Sequence, residues 1–595
     1  MQQQIQRTIL WVIFFSSLFF LWDAWQRHQG QPGFFAPPSE KTASATNGSQ
    51  LPEAKPAASE VPQAGTAAAS ADKAQIPGAT TAASSTNTQA TSAGTVKAQS
   101  DAKSKEAGTK SAGEVWVLQN KVLKLAITPE GGQVVRSELL TQRELNEPTK
   151  NVVLLNQEGQ NHYLAQQGWI SAQSDKRFPT HQSRFELVEQ SGSGLVIEAS
   201  EGELKVRRSY QLGADDYVIK IEETVQNLGS TSLAPIAYRQ LLRDSKPPAG
   251  ESQFYSTYTG PVVYTDQGKF QKVDFASIEK GKADHVKQAS DGWLGLIQHH
   301  FIAAWLPQDQ RQREYFTRRV EGNPVLYSVG ALERFAELAP GASLSTVARL
   351  LVGPQDQRML SAIAPGLELA VDYGWLSMFA KPIFWLLEQM HSLSNNWGVA
   401  IILLTVIIKS LFFPLQSASY KSMARMKAVT PRMMAIRERY GNDRIRMNQA
   451  MMELYKEEKI NPLGGCLPIV VQIPVFIALY WVLLASSEMR FAPFLYLDNL
   501  AAPDTLFGTY FGVPIGLMPI LMAVTMFIQT KLNPTPPDPV QAKLMMIMPI
   551  VFSVMFFFFP SGLVLYWLVN NMYSIAQQWV ITRRIEAQSA KERRS

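Results

Sequence analysis

The sequence predicts a multi-domain membrane protein: an N-terminal signal-anchor helix, a large antiparallel β-sandwich outside the membrane, and an α-helical five-span core. Three observations point there. The last third of the 595-residue chain carries five apolar blocks separated by polar segments, each near the ~20 residues that a spanning helix needs. Residues 114–358 carry short runs of alternating apolar residues instead, the period-two signature of half-buried strands. The net charge is only +6, but the positive residues collect beside the apolar blocks, as the positive-inside bias requires of cytoplasmic segments.

Residues 1–29 hold the first apolar run, ILWVIFFSSLFFLW at 9–22, preceded by Arg7 and followed by Asp23, Trp25, Arg27 and His28. No small-x-small cleavage pattern follows at once, and the closing aromatics suit an interface anchor. An uncleaved anchor with a cytoplasmic N-terminus is expected, a cleaved signal being the alternative. Residues 30–113 are dominated by Ala, Ser, Thr, Gln, Gly and Pro, with almost no large apolar side chain after Phe35. Such a composition buries too little surface to fold, so a flexible tether is expected.

Within 114–358, Leu204, Val206 and Tyr210 share one face, and Tyr217, Ile219 and Ile221 share a face of a second strand. Turn signals recur at Gly131-Gly132, Asn227-Leu228-Gly229 and Pro247-Pro248. Strands and turns at this spacing over more than two hundred residues imply a large antiparallel sandwich. The carboxylates Asp215, Asp216, Glu222 and Glu223 are expected at turns and on exposed strand faces, as solvated groups. The pair His299-His300 would point to opposite faces of a strand. One cysteine, Cys466, permits no intramolecular disulfide and no thiolate cluster. The seven histidines lack an HExxH pattern, so no metal and no cofactor is expected.

Residues 359–396 read as a short helical connector followed by an amphipathic helix. Ile383, Leu386, Leu387, Met390 and Leu393 recur at three and four residues, with Lys381, Glu388 and His391 on the other side, as in a helix lying on a membrane surface. The core at 397–595 is expected to place spans at 397–415, 464–485, 514–530, 544–559 and 563–580. Pro468 and Pro474 would shape the second span, and Pro560 and Gly562 the hinge between the last two. Between the first two spans, residues 416–463 carry ten basic residues against five acids, and Tyr440-Gly441-Asn442-Asp443 divides them into a cytoplasmic helical hairpin. Seven methionines crowd it: Met423, Met426, Met433, Met434, Met447, Met451 and Met452. Flexible thioethers suit a surface that receives varied apolar partners, or the hairpin packs on lipid head groups. The loop 486–513 carries one Arg and three acids, consistent with the outer side. The basic tail at 582–595 fixes the C-terminus inside.

Lys409 is the single charge in residues 397–415. It lies about 4.5 Å past the midpoint at 1.5 Å per residue, where a lysine costs roughly 3 kcal/mol to insert. Thr405 is one turn earlier on the same side. Either the long stem carries the ammonium to the cytoplasmic interface, or the charge lies in a polar cavity within the membrane, which marks a functional site.

The string NPLGGCLPIVVQIPVFIALYWVL at 461–483 resembles the third span of the YidC/Oxa family of membrane protein insertases. FPSGLVLYWLVNN at 559–571 resembles the same family, as does Glu453-Leu454-Tyr455-Lys456 its cytoplasmic ALYK-type motif. With the anchor, tether, large outer domain, amphipathic helix, five-span core and basic tail, the resemblance covers nearly the whole chain, in the form found in Gram-negative bacteria. It implies a periplasmic β-supersandwich like that of sugar mutarotases. It also implies insertion, folding and assembly of inner-membrane proteins, alone or with the Sec translocase and its accessory subunits. Two positions depart from the pattern. Lys409 stands where the family usually has arginine and lacks the planar fork that grips a carboxylate. Trp567, after Tyr566, stands where tyrosine is frequent, and an indole donates one hydrogen bond but accepts none.

The function expected is an insertase without covalent chemistry, and so no enzyme. Lys409, Thr405, Tyr566 and Trp567 would line a hydrophilic groove. Met423, Arg425, Met426, Lys427, Arg437, Arg439, Met447, Met451 and Met452 of the hairpin would receive emerging chains and the translating ribosome, whose RNA is a polyanion. Two other readings stand beside it. A transporter or channel gated by Lys409 would want an inverted repeat and a second intramembrane charge, neither of which the sequence displays. A membrane-tethered periplasmic carbohydrate-binding protein or enzyme would rest on fold analogy alone.

Overall fold

Alternation builds the outer domain. In Leu204–Leu212 the buried positions are Leu204, Val206, Arg208, Tyr210 and Leu212. In Val218–Asn227 they are Ile219, Ile221, Glu223, Val225 and Asn227. The two strands pair antiparallel with Arg208 opposite Glu223 and Tyr210 opposite Ile221, so a side-chain period of two puts both sets on one face. The computed structural model describes residues 115–592 except 146, 158–161, 174–175, 249–256, 323, 441–442, 459–466 and 533–538. The expected anchor, the tether, Cys466 and the 461–466 part of the family motif lie outside the described residues.

Among these residues two nine-stranded antiparallel sheets face each other. Strands Tyr163–Ser171 and Pro235–Arg243, central in the first sheet, are buried along almost their whole length, because both faces are covered. The core between the sheets gathers Leu118, Leu125, Trp169, Ile197, Val206, Ile221, Leu241, Trp305 and Leu350.

Glu223 corrects the expectation of a solvated carboxylate. It lies inside the sandwich and accepts from Arg208 Nε at 2.8 Å, with Arg239 Nη2 at 3.5 Å on its other oxygen. Arg239 continues the chain to Glu333 at 3.1 Å, and Arg208 also donates to the Gly131 carbonyl at 2.7 Å. Of the adjacent acids Glu222 and Glu223, strand pleating turns one outward and one in, and the inward one is paired with two arginines. For His299 and His300 the condition for opposite faces, a place on a strand, is not met. They occupy the turn between Trp293–Gln298 and Phe301–Pro307, where His299 takes φ of +34°, and their rings stack at 3.8 Å instead of facing apart.

A second apolar cluster carries the sandwich into the helices. It starts on the outer face of the second sheet at Val262, Trp293, Ile302 and Leu351, and passes through the connector at Leu360, Leu367 and Leu376. It ends at Leu404, Leu479, Met522 and Leu565. The connector holds α1 (Gln357–Ile363), capped by the Asp356 carboxylate on the Met359 N–H, and α2 (Ser377–Ser394), which buries Ala380, Phe384 and Leu387. Leu393 of the expected apolar set is exposed, as are Met378 and Trp385.

The helical core comprises α3 (Trp397–Leu411), α4 (Phe413–Arg439), α5 (Arg444–Glu457), α6 (Leu467–Ala485), α7 (Leu517–Leu532), α8 (Pro539–Phe556) and α9 (Ser561–Glu592). The span expected at 397–415 is not straight: α3 and α4 meet at 64° across Phe412. Pro414, in the first turn of α4, cannot donate to a carbonyl four residues back, which ends α3 there. Among the described residues no single helix is long and apolar enough to cross a membrane, and the bent pair 397–426 qualifies by length and composition. The last expected span and the basic tail as far as Glu592 are one continuous helix, α9.

Candidate functional site

The first half of the site comes from α3, whose buried face carries Ala400, Ile401, Leu404, Thr405 and Lys409 at helical spacing. This face packs on α9. Along α9 the apolar sequence is interrupted at Asn570, Ser574, Gln577 and Gln578, all buried. Steps of three and four residues place these groups in one row.

Lys409 is 4% exposed. Its ammonium donates to Ser574 Oγ at 2.9 Å, and Ser574 passes its own proton to the Asn570 carbonyl at 2.8 Å. No carboxylate pairs with Lys409 among the described residues. A hydrogen-bond ladder continues from there: Gln472 of α6 donates to Asn570 Oδ1 at 3.0 Å, and Gln416 of α4 to Gln472 Oε1 at 3.4 Å. Asn571 reaches Thr525 of α7 at 3.4 Å. One turn along the same two helices the ladder gives way to an aromatic wall, with Phe476 four residues after Gln472 and Tyr566 four before Asn570. Phe476 lies edge-on to Trp567 at 4.8 Å and stacks with Tyr566 at 6.1 Å.

Ladder and wall together line a cavity of about 370 Å³, with Lys409, Gln416, Met423, Gln472, Phe476, Gln529, Tyr566, Trp567 and Asn570 among its residues. Buried polar groups that still lack partners mark places where a ligand group can be received. Two such atoms belong to lining residues: Trp567 Nε1, a donor, and Gln416 Oε1, an acceptor. The cavity can therefore offer a cation, an N–H and a carbonyl oxygen to a polar chain, beside an apolar wall.

Of the sequence-predicted groove residues, Lys409, Tyr566 and Trp567 line one cavity. Thr405 is buried one turn away, donates to its own helix at the Ile401 carbonyl at 2.7 Å, and is not among the lining. Pro560 and Gly562 sit at the start of α9, where the Gly562 N–H binds the Leu500 carbonyl at 2.9 Å and a Cβ would meet that oxygen at 3.2 Å. Pro474 lies inside α6, and the side chain of Pro468 is outside the described residues.

The hairpin residues divide. Met423 reaches the cavity. Met426 and Met451 join Val429, Met433 and Leu454 in the seam between α4 and α5. Met452, Arg425 and Arg439 are exposed, Arg439 over the Tyr440 ring, while Met447 and Arg437 are half-buried. The side chain of Lys427 is outside the described residues. Sequence reasoning passed over Gln416, Gln472, Asn570, Asn571, Ser574 and Gln577. The signal was present as the row 570, 574, 577, amides and a hydroxyl at three and four residues within an apolar span.

Residues 389–589 match the family described as 60Kd inner membrane protein, and residues 115–386 match the YidC periplasmic domain. The membrane protein insertase YidC of Janthinobacterium sp. (strain Marseille) is 48% identical over 98% of this chain and 99% of its own length. That of Bordetella parapertussis is 50% identical over the same shares. A solved structure of an active YidC insertase is 16% identical, covers 78% of this chain and 92% of its own, and has a TM-score of 0.37.

Proposed function

The chain belongs to the YidC family of membrane protein insertases, and from that premise we propose that the cavity around Lys409 is the groove through which it inserts its substrates. The protein is an insertase of the inner membrane with a periplasmic domain, and its task is insertion rather than catalysis. The observation that carries the groove reading is a buried ammonium satisfied by a neutral hydroxyl inside a polar cavity.

In this reading the charge draws acidic residues from the short outer tail of an incoming protein, and Trp567 N–H and the Gln416 oxygen bind its backbone in transit. The drive comes from partitioning of the apolar segment, at about 0.8 kcal/mol per buried CH₂. The bent pair α3–α4, then α6, α7, α8 and α9, make five crossings, and residues 9–22 a sixth, with both termini cytoplasmic. The hairpin and the tail from Arg583 receive nascent inner-membrane proteins from translating ribosomes; the exposed Arg425, Arg439 and Met452 support this. The Sec translocase with its accessory subunits is the proposed partner for larger substrates, and membrane lipid borders the open side.

The test is insertion of small substrates in cells depleted of their own insertase. Lys409→Arg is expected to sustain it and Lys409→Glu to abolish it; full insertion by Lys409→Glu sinks the charge-based groove. Deleting residues 423–452 is expected to abolish insertion with the five proposed spans still folded, and normal insertion by that deletion removes the receiving role.

A further inference from the structure

The loop joining α6 to α7 ends in a hairpin of unusual composition. Residues 505–516 carry no charged side chain, and 505–512 are all exposed, with Leu506, Phe507, Tyr510 and Phe511 among them. The hairpin is not loose. Phe507 N–H binds the Ile515 carbonyl and Ile515 N–H the Gly508 carbonyl, both at 2.9 Å. At its base the buried Asp504 carboxylate accepts from Tyr496 OH at 2.7 Å, Met518 N at 2.8 Å and Leu506 N at 3.1 Å. Phe511 is fully exposed at φ of +50°, a backbone region where a bulky residue is an outlier. A rigid pedestal thus presents an aromatic, uncharged tip.

We propose that this tip seats in the outer-leaflet interface of the membrane, with the lipid surface as its partner. The inference rests on the reading that α7 crosses the bilayer. The sixteen residues of α7 span about 24 Å at 1.5 Å each, against a hydrocarbon layer of ~30 Å. With Lys531 at the inner boundary, Leu517 falls short of the outer one, and the segment before it completes the apolar height. α7 carries an outward apolar stripe at Ile520, Leu521, Val524, Phe527 and Ile528, and the buried or half-buried residues 513–519 tie it to the exposed tip. Aromatic residues are the side chains that settle at such a boundary. Residues 505–516 carry no charge and Asp504 at the base is already committed, so the tip itself offers nothing to a charged partner.

The test uses the full chain with its single cysteine removed by Cys466→Ser. An environment-sensitive fluorophore is attached after Phe511→Cys, or Val524→Cys in a parallel protein, in vesicles of phosphatidylethanolamine and phosphatidylglycerol. Lipids carrying a nitroxide near the head-group end of the acyl chain are expected to quench the label at 511 several-fold more than iodide present on both sides. The Phe507→Cys label is expected to behave alike. Strong iodide quenching at 511 with lipid quenching at 524 overturns the seated hairpin while the span stands. Quenching by neither agent at 511 means that protein covers the tip, and also overturns the proposal. Absence of lipid quenching at 524 overturns the crossing of α7, and the seated hairpin with it.

Discussion

In the sandwich, Arg208, Glu223, Arg239 and Glu333 stand between two sheets, each at most 5% exposed, and every cation faces an acid. In the helical core Lys409 is as deeply buried and faces a serine. The difference separates two uses of a buried charge. Removing charge from water costs several kcal/mol per ion, offset only by good geometry and a counter-charge. The sandwich supplies both, so its ions belong to the architecture. The core supplies a hydroxyl and a cavity, which under the proposed groove leaves its ion to meet an opposite charge from outside.

The largest effect expected from this contrast is on the sandwich. Glu223→Ala leaves two arginines buried without their shared acid and should cost about 3–5 kcal/mol, read as a lower melting temperature of the full protein; an unchanged melt would make the network decorative. Next comes pH. Burial holds His181 at about 4 against ~6.5 when unfolded. Between those values the unfolded chain binds the extra proton, so stability falls on acidification from about pH 6.5 to 4, by up to about 3 kcal/mol. His181→Gln should flatten that slope. At the junction the sign reverses: burial raises Glu488 to about 7, with Asp356 and Glu388 adding to the rise. Its contribution is therefore lost as pH climbs from about 4.5 to 7, and Glu488→Gln should remove this loss in the same titration.

A smaller effect tests the hairpin, which mixes both roles. Met433→Ala, in the seam, should cost about 2 kcal/mol of hairpin stability, whereas Met452→Ala on the surface should stay within about 0.5 kcal/mol, both read by hydrogen exchange. Smallest of all should be the melt of Lys409→Met, within about 1 kcal/mol of the parent, because no ion pair is broken. A large destabilisation there would place Lys409 with the architectural charges and dissolve the comparison.

Much of this contrast was legible from residues alone. Alternation at 204–210 and 217–221 marked the strands, the polar break at 440–443 marked the hairpin, and Lys409 stood out by the rarity of a cation among the eighteen apolar and neutral residues around it in 397–415, at ~20 residues per span. Glu223 was not legible. Whether it or Glu222 turns inward depends on strand register, and its match with Arg208 exists only once the two strands pair. The histidine pair misled because a turn at His299 breaks the alternation that a strand would impose. The polar row on α9 and Pro414 just after the bend were both readable and carried information that hydropathy averaged away.

Lys409 lies in the last turn of α3, three residues before the bend at Phe412. Aligned peptide dipoles leave roughly half a negative elementary charge at a helix C-terminus. The bend therefore gives the buried ammonium a diffuse counter-ion made of backbone carbonyls, so that under the proposed groove no acid would have to be displaced by a substrate carboxylate. A helix running straight through Phe412 would pair those carbonyls and withdraw that charge. The angle between two helices thus sets how strongly the cation calls for an anion.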